Sequence, residues 1–268
     1  MSKNNNSKPK PADLTALFKS AKDDGTLSNR SAKALNVVDL GAQIQAGLGI
    51  AVDDVESSEV VLVTLMPDDS GSIRFGGNAQ AVRDGHNLVL DALGQCKQSG
   101  DILVHNRYLN GHVLYPYTTL DASIRMDSAN YDPTLGTPLY DQTVVLLATV
   151  LAKSQEFADN GVPVRTISLI ISDGADAGSN RATPRHVASL VEDMLRAENH
   201  IVAAMGIDDG STDFYRVFSD MGIPREWILT PGNSDSEIRK AFQVFSQSAV
   251  RASQTMTFSK TALGGFVN

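Results

Sequence analysis

Seven consecutive residues, Val60-Val61-Leu62-Val63-Thr64-Leu65-Met66, are aliphatic or β-branched from end to end. A strand with one wet face alternates apolar and polar residues; an unbroken run is what a central strand needs when both of its faces are covered. Two more runs of this kind follow, at 166–171 and at 200–207. The stretches between them carry helical spacing. Gly76-Gly77 opens a long helix with Val82, Val89, Leu93 and Cys96 on one face. Pro138 stands at the first position of another, lined by Val144, Leu147 and Leu151. Helices are also expected over 184–198, 212–221 and 234–250, the last with Ile238, Phe242, Phe245 and Ala249 on a shared face. Strands 101–108 and 112–117 are joined by Asn110-Gly111, a hairpin signal, and a short strand lies around 227–229. The order β-α-ββ-α-β-α-β-α-β-α predicts an α/β fold: an open, doubly wound, mostly parallel sheet with one antiparallel edge strand.

The flanks read differently. Residues 1–11 are rich in Asn, Lys, Ser and Pro, with nothing to bury, and read as a disordered tail. Residues 12–57 read as a helical N-terminal extension. Leu14, Leu17 and Phe18 share a face behind the capping Asp13, and Val37, Leu40, Ile44 and Leu48 mark a second stretch that Gly41 and Gly47 weaken. The α/β domain is expected over 58–252, followed by a tail at 253–268. A formal net charge of −8 argues against a nucleic-acid partner, which calls for clustered Lys and Arg. The single cysteine, Cys96, excludes an internal disulfide and reads as a core thiol. No apolar run is long enough to cross a membrane and no secretory h-region is seen, so the expected setting is cytoplasmic, away from membranes.

In an open α/β sheet, ligands bind beyond the C-terminal strand ends where the strand order reverses. The loop after the first run reads Asp68-Asp69-Ser70-Gly71-Ser72, and the loop after 166–171 reads Ser172-Asp173-Gly174; Thr137 adds a hydroxyl before Pro138. Asp68, Ser70, Ser72, Thr137 and Asp173 are hard oxygen donors, a set that selects Mg²⁺, Mn²⁺ or Ca²⁺ over zinc or copper. Neutral hydroxyl ligands would leave the ion strongly positive, and an unfilled position would attract a carboxylate from outside. The five histidines, His86, His105, His112, His186 and His200, show no metal-ligand spacing and read as surface or satisfied core residues.

Asp68-x-Ser70-x-Ser72, Thr137 and Asp173, each in its strand-end or helix-start context, resemble the metal ion-dependent adhesion site of von Willebrand factor A domains of the intracellular bacterial type. The resemblance spans roughly residues 58 to 250. It implies a Rossmann-like sheet in which Ser70 and Ser72 coordinate the ion directly and Thr137 does so directly or through water. Asp68 and Asp173 would hold it through water, with Asp68 also fixing the serine loop, and a partner Asp or Glu would complete the shell. It further implies movement of helix 234–250 on engagement. Two departures stand out: Pro67 ends the first strand where relatives carry an aliphatic residue, and Asp69 adds a charge at a position usually uncharged.

The expected function is therefore a non-enzymatic, Mg²⁺-dependent interaction module that grips an acidic side chain of a partner protein. Its setting would be an adaptor role in an intracellular bacterial complex, such as one with an AAA+ ATPase, or a stress-response system. The alternative is a Mg²⁺-dependent hydrolase or phosphotransferase. Against it, Asp68 lacks the acidic residue two positions on that haloacid-type phosphatases use, and no Ser–His pairing is evident.

Overall fold

The computed structural model describes residues 12–35, 40–254 and 265–266. Within these, strands β1 (Val60–Met66), β2 (Ile102–Arg107), β3 (Val113–Thr119), β4 (Val164–Ser172), β5 (His200–Gly206) and β6 (Ile228–Leu229) form one sheet in the order β3-β2-β1-β4-β5-β6. Only β3 runs antiparallel, paired to β2 through the hairpin around Asn110-Gly111, where Gly111 has φ +91°. The expected fold class is observed. β1 is buried along its whole length, as its unbroken apolar run requires. From β1 the chain builds outward to β2 and β3 on one side and to β4, β5 and β6 on the other, so the order reverses between β1 and β4.

The helices are α1 (Leu14–Asp23), α2 (Asn29–Leu35), α3 (Leu40–Leu48), α4 (Gly71–Phe75), α5 (Ala79–Gly94), α6 (Leu139–Asp159), α7 (Pro184–Arg196), α8 (Phe214–Asp220) and α9 (Asp235–Gln254). α5 packs against α9, which lies on β4, while α6 and α7 pack together over β1, β4 and β5. α1 and α3 lie on α6, and α2 lies on α7. This outer layer explains why α6 is buried on nearly every side, down to Lys153, whose ammonium donates to the Ile50 carbonyl and pairs with Glu156 at 2.8 Å. The N-terminal helices thus complete a core with Leu17, Ile44 and Leu48. Each such side chain contributes about 1.5–3 kcal/mol of burial. Asp13 caps α1 as expected, accepting from the Ala16 N–H at 3.0 Å.

Several local expectations need correction. The long helix does not open at Gly76-Gly77. Those residues instead end the short helix α4, with Gly76 as its C-cap and Gly77 at φ +77°, and α5 starts at Ala79. Val82, Val89 and Leu93 are buried, whereas Cys96 lies past the helix end and is half-buried. α2 was not anticipated. Gly47 is less a weakness in α3 than a point of contact: a Cβ there would sit 2.7 Å from Thr149 Cγ2 and 3.0 Å from His105 Nε2. The chain needs glycine to bring α3 down onto α6 and β2. Val37 and residues 1–11 fall outside the described residues. Of the tail at 253–268, Ser253 and Gln254 continue α9, and Phe266 packs edge-on against Trp227.

Pro116 sets the geometry of the edge. Val104 faces Thr118 but Asn106 faces Tyr115, so between these pairs β3 carries one extra residue, a bulge at an exposed proline that has no N–H to donate; a second shift follows between Asn106 and Arg107, which faces Val113. The bulge sends two tyrosines to opposite faces. Tyr115 meets His86 of α5 at 2.8 Å, and Tyr117 meets Thr64 at 2.6 Å beneath α6.

Candidate metal site

The Asp68 loop leaves β1 at the C-terminal edge of the sheet, beside the loop that leaves β4. Asp68 is fully buried, and its two carboxylate oxygens hold different segments. Oδ1 accepts from the Ser70 N–H at 2.7 Å, closing the serine loop, and Oδ2 accepts from the Ser172 hydroxyl at 2.7 Å, tying that loop to β4. The Asp68 carbonyl accepts from the Tyr131 hydroxyl. Ser70 Oγ lies 2.8 Å from Ser72 Oγ, and both approach Asp173 Oδ1, at 3.4 Å and 2.6 Å. Four of the five sequence-predicted residues therefore converge through direct hydrogen bonds.

Thr137 reaches the same crest by its backbone. Its loop pairs with the serine loop at Leu135–Ser70 and with the β4 loop at Thr137–Ala177. The bonds run from the Gly71 N–H to the Leu135 carbonyl and from the Ala177 N–H to the Thr137 carbonyl, each 2.9 Å. The hydrogen bonds that join the other four residues do not include the Thr137 hydroxyl. The β4 loop is anchored in turn by Asp141, whose carboxylate accepts the N–H groups of Asn180, Arg181 and Ala182. Asp141, four residues after Thr137 in the run Thr137-Pro138-Leu139-Tyr140-Asp141, thus holds a loop in place.

Asp69 and Pro67, the two departures in the sequence, both have structural employment. Asp69 is buried with its Oδ1 turned toward Asn110, accepting from that residue's backbone N–H and side-chain amide at 2.9 Å each. Its carbonyl accepts from Thr134 and Leu135, and the Pro67 carbonyl accepts from Leu109. The serine loop is thereby pinned to the β2–β3 hairpin. Sequence reading treated Asn110 as a turn residue and gave no role to Tyr131, Asp141 or Ser172. Ser172 stands within the Ser-Asp-Gly motif and Asp141 closes the run that begins at Thr137; Tyr131 carries no signal, because its partner Asp68 is distant in sequence.

Burial dominates the electrostatics, and like charge adds a smaller contribution. Desolvation pushes the Asp68 carboxyl up to about 6 against the hydrogen bonds from Ser70 and Ser172, and the charge of Asp173 adds to the rise. Asp173 is raised by burial and by Asp209. Two buried carboxylates that are costly to ionise, facing a pair of serine hydroxyls, are a donor set that a divalent cation fits: the cation favours their charged forms and the hydroxyls fill its shell. Among the described residues, no three His, Cys, Asp or Glu side chains group as a metal cluster, so a metal here would depend on the hydroxyls. His86, His105 and His200 are core residues and His112 and His186 are exposed, away from any such cluster. Arg107, at the end of β2, is fully buried.

No family model matches the sequence, and no curated protein matches it significantly. Solved structures do match in fold. The pilus adhesin SpaC from Lactobacillus rhamnosus GG, in its open conformation, aligns at 13% identity with a TM-score of 0.50, over 73% of this chain and 30% of SpaC. Proximal thread matrix protein 1 from the mussel byssus, with a zinc-occupied MIDAS motif, aligns at 16% identity with a TM-score of 0.51, over 72% of this chain and 46% of that protein. This chain spans less than half the length of either. The fold is that of von Willebrand factor A domains.

Proposed function

We propose that this chain, built on the von Willebrand factor A fold, is a metal-dependent protein-interaction module that uses a bound divalent cation to grip an Asp or Glu of a partner. The observation that carries this reading is the convergence of Asp68, Ser70, Ser72 and Asp173 within hydrogen-bond distance at the strand-order reversal, with Thr137 on the adjoining loop. Ser70, Ser72 and Thr137 would coordinate the ion, with Asp68 and Asp173 holding it and keeping the serine loop closed. The ion would supply positive charge for an incoming carboxylate. Mg²⁺ is the favoured ion, with Mn²⁺ and Ca²⁺ as alternatives; the zinc-occupied MIDAS of the mussel protein makes zinc a competitor to include.

A binding role is favoured over an enzymatic one. The Thr166–His200 pair, at 2.7 Å, is buried near the start of β4 and β5, at the opposite end of the sheet from the acidic loops. It offers no nucleophile to a substrate at the crest. No single helix among the described residues is long and apolar enough to cross a membrane. We place the module in the bacterial cytoplasm, as an adaptor in a complex such as one with an AAA+ ATPase. Calorimetric titration of Mg²⁺, Mn²⁺, Ca²⁺ and Zn²⁺ tests the site. Saturable binding by wild type, lost in folded Asp68→Ala and Asp173→Ala variants, is expected. Equal binding by the variants would end the reading, and turnover of phosphate esters with Mg²⁺ that both variants lose would replace it with the enzymatic one.

A further inference from the structure

Large apolar side chains exposed singly on a surface are ordinary. Among the described residues there are three: Phe75, Ile124 and Leu135. Two of them sit on the segments that hold Ser70. Phe75, 90% exposed, ends the helix that leaves the serine loop; Leu135, 56% exposed, is the residue whose backbone pairs with Ser70. A Cβ on Gly71 would lie 3.5 Å from Phe75 Cε2 and 4.0 Å from the Thr134 carbonyl. The ring therefore lies along the serine-loop backbone, toward the loop that carries Leu135 and Thr137.

The backbone that carries the two side chains is tied to its neighbours. Leu135 donates its N–H to the Asp69 carbonyl at 3.1 Å and accepts from Gly71. The Arg74–Asp132 ion pair, at 3.3 Å, joins the end of α4 to the loop before Leu135. The charges between the two shoulders are already engaged: Arg74 faces Asp132, and Asp69 is turned inward to Asn110. Beside the exposed Arg74–Asp132 pair, the large apolar side chains that this crest presents to solvent are Phe75 and Leu135, one on each of the two segments that meet at Ser70.

We infer that Phe75 and Leu135 are specificity-determining shoulders of the metal site, selecting a partner segment whose gripped Asp or Glu is flanked closely by an aliphatic or aromatic side chain. This rests on the metal-grip reading above. The occupant is a peptide segment of another protein: the positive ion takes the carboxylate, and the neighbouring apolar side chain covers the ring and the leucine, excluding water from the ion–carboxylate contact.

The probe is a library of random peptides displayed on phage, panned against the immobilised full chain in Mg²⁺ and again in EDTA. Expected are Mg²⁺-dependent peptides enriched in an Asp or Glu with Leu, Ile, Phe or Met within two positions. Synthesised singly, these peptides should bind a Phe75→Ser/Leu135→Ser double variant about tenfold or more weakly, as loss of apolar burial requires, while panning on that variant still selects the carboxylate. Because both side chains are exposed, the variant should melt within a degree or two of wild type. Mg²⁺-dependent selection of carboxylates with no apolar neighbour would overturn the shoulders and leave the grip intact. Selection indifferent to EDTA and to carboxylates would overturn the grip and the shoulders with it. Mg²⁺-dependent self-association of the full chain, lost in the double variant, would assign the surface to a second copy and overturn the choice of occupant.

Discussion

Asp68 and Asp69 are adjacent carboxylates whose environments differ. Asp68 bridges the serine loop and β4, so its removal leaves the Ser70 N–H without its acceptor and the Ser172 hydroxyl with only the Gly174 carbonyl, at 3.0 Å. Asp68→Ala should therefore cost about 1–3 kcal/mol of stability besides abolishing metal binding, whereas Asp173→Ala, which releases only the two serine hydroxyls, should melt closer to wild type. A second expectation concerns Arg107. Its side chain is fully buried; one nitrogen lies 3.3 Å from Thr149, while Nε and the other terminal nitrogen have no partner among the described residues, and burial lowers its pKa to about 10. A guanidinium taken out of water without a carboxylate is a burden on the fold. Arg107→Met should raise the denaturant midpoint or leave it unchanged; a loss of more than about 2 kcal/mol would show that ordered water or an anion satisfies the charge.

Elements here are positioned by a few close approaches. At Gly85 of α5 a Cβ would sit 2.0 Å from the Phe242 ring of α9, so these helices meet only because that side chain is missing. Gly85→Ala should force α9 outward and cost roughly 1–3 kcal/mol or more, and pairing it with Phe242→Leu should recover part of the loss in equilibrium unfolding. If α9 is the element that moves when the site engages, as the resemblance implies, this same contact would report it through Phe242. At the edge strand, the bulge at Pro116 decides that Tyr115 serves the α5 face and Tyr117 the α6 face. No alternation in residues 112–117 foretold this, because a bulge breaks the period on which the reading depends.

Across the whole molecule, acid acts in two opposed directions. Burial lowers His86 and His200 to about 4 and His105 to about 3, from 6.5. Below 6.5 the unfolded chain takes up protons that these folded histidines refuse, so stability present above that value is lost as pH falls toward 4. The slope is about 1.4 kcal/mol per pH unit for each histidine. Asp68, raised from 3.8 to about 6, runs the other way, its folded form gaining protons first between 6 and 3.8. The two partly cancel in wild type. The stability advantage of wild type over His105→Gln isolates the histidine and should shrink steadily as pH drops from 6.5; an advantage independent of pH would mean that His105 is not held neutral. The sequence by itself determined the α/β architecture, the parallel core strands, the hairpin and the loops that carry the five oxygen donors. These depend on local periodicity and turn chemistry, which a chain carries within a few residues of itself. Tertiary structure alone decided that Asp69 faces Asn110, that Ser172 and Tyr131 brace Asp68, that Gly47 and Gly85 admit their neighbours, and that Phe75 and Leu135 flank one crest. Each of these joins groups separated by tens of residues or more, or depends on which face of a loop is left uncovered. Packing, not local pattern, sets such distances.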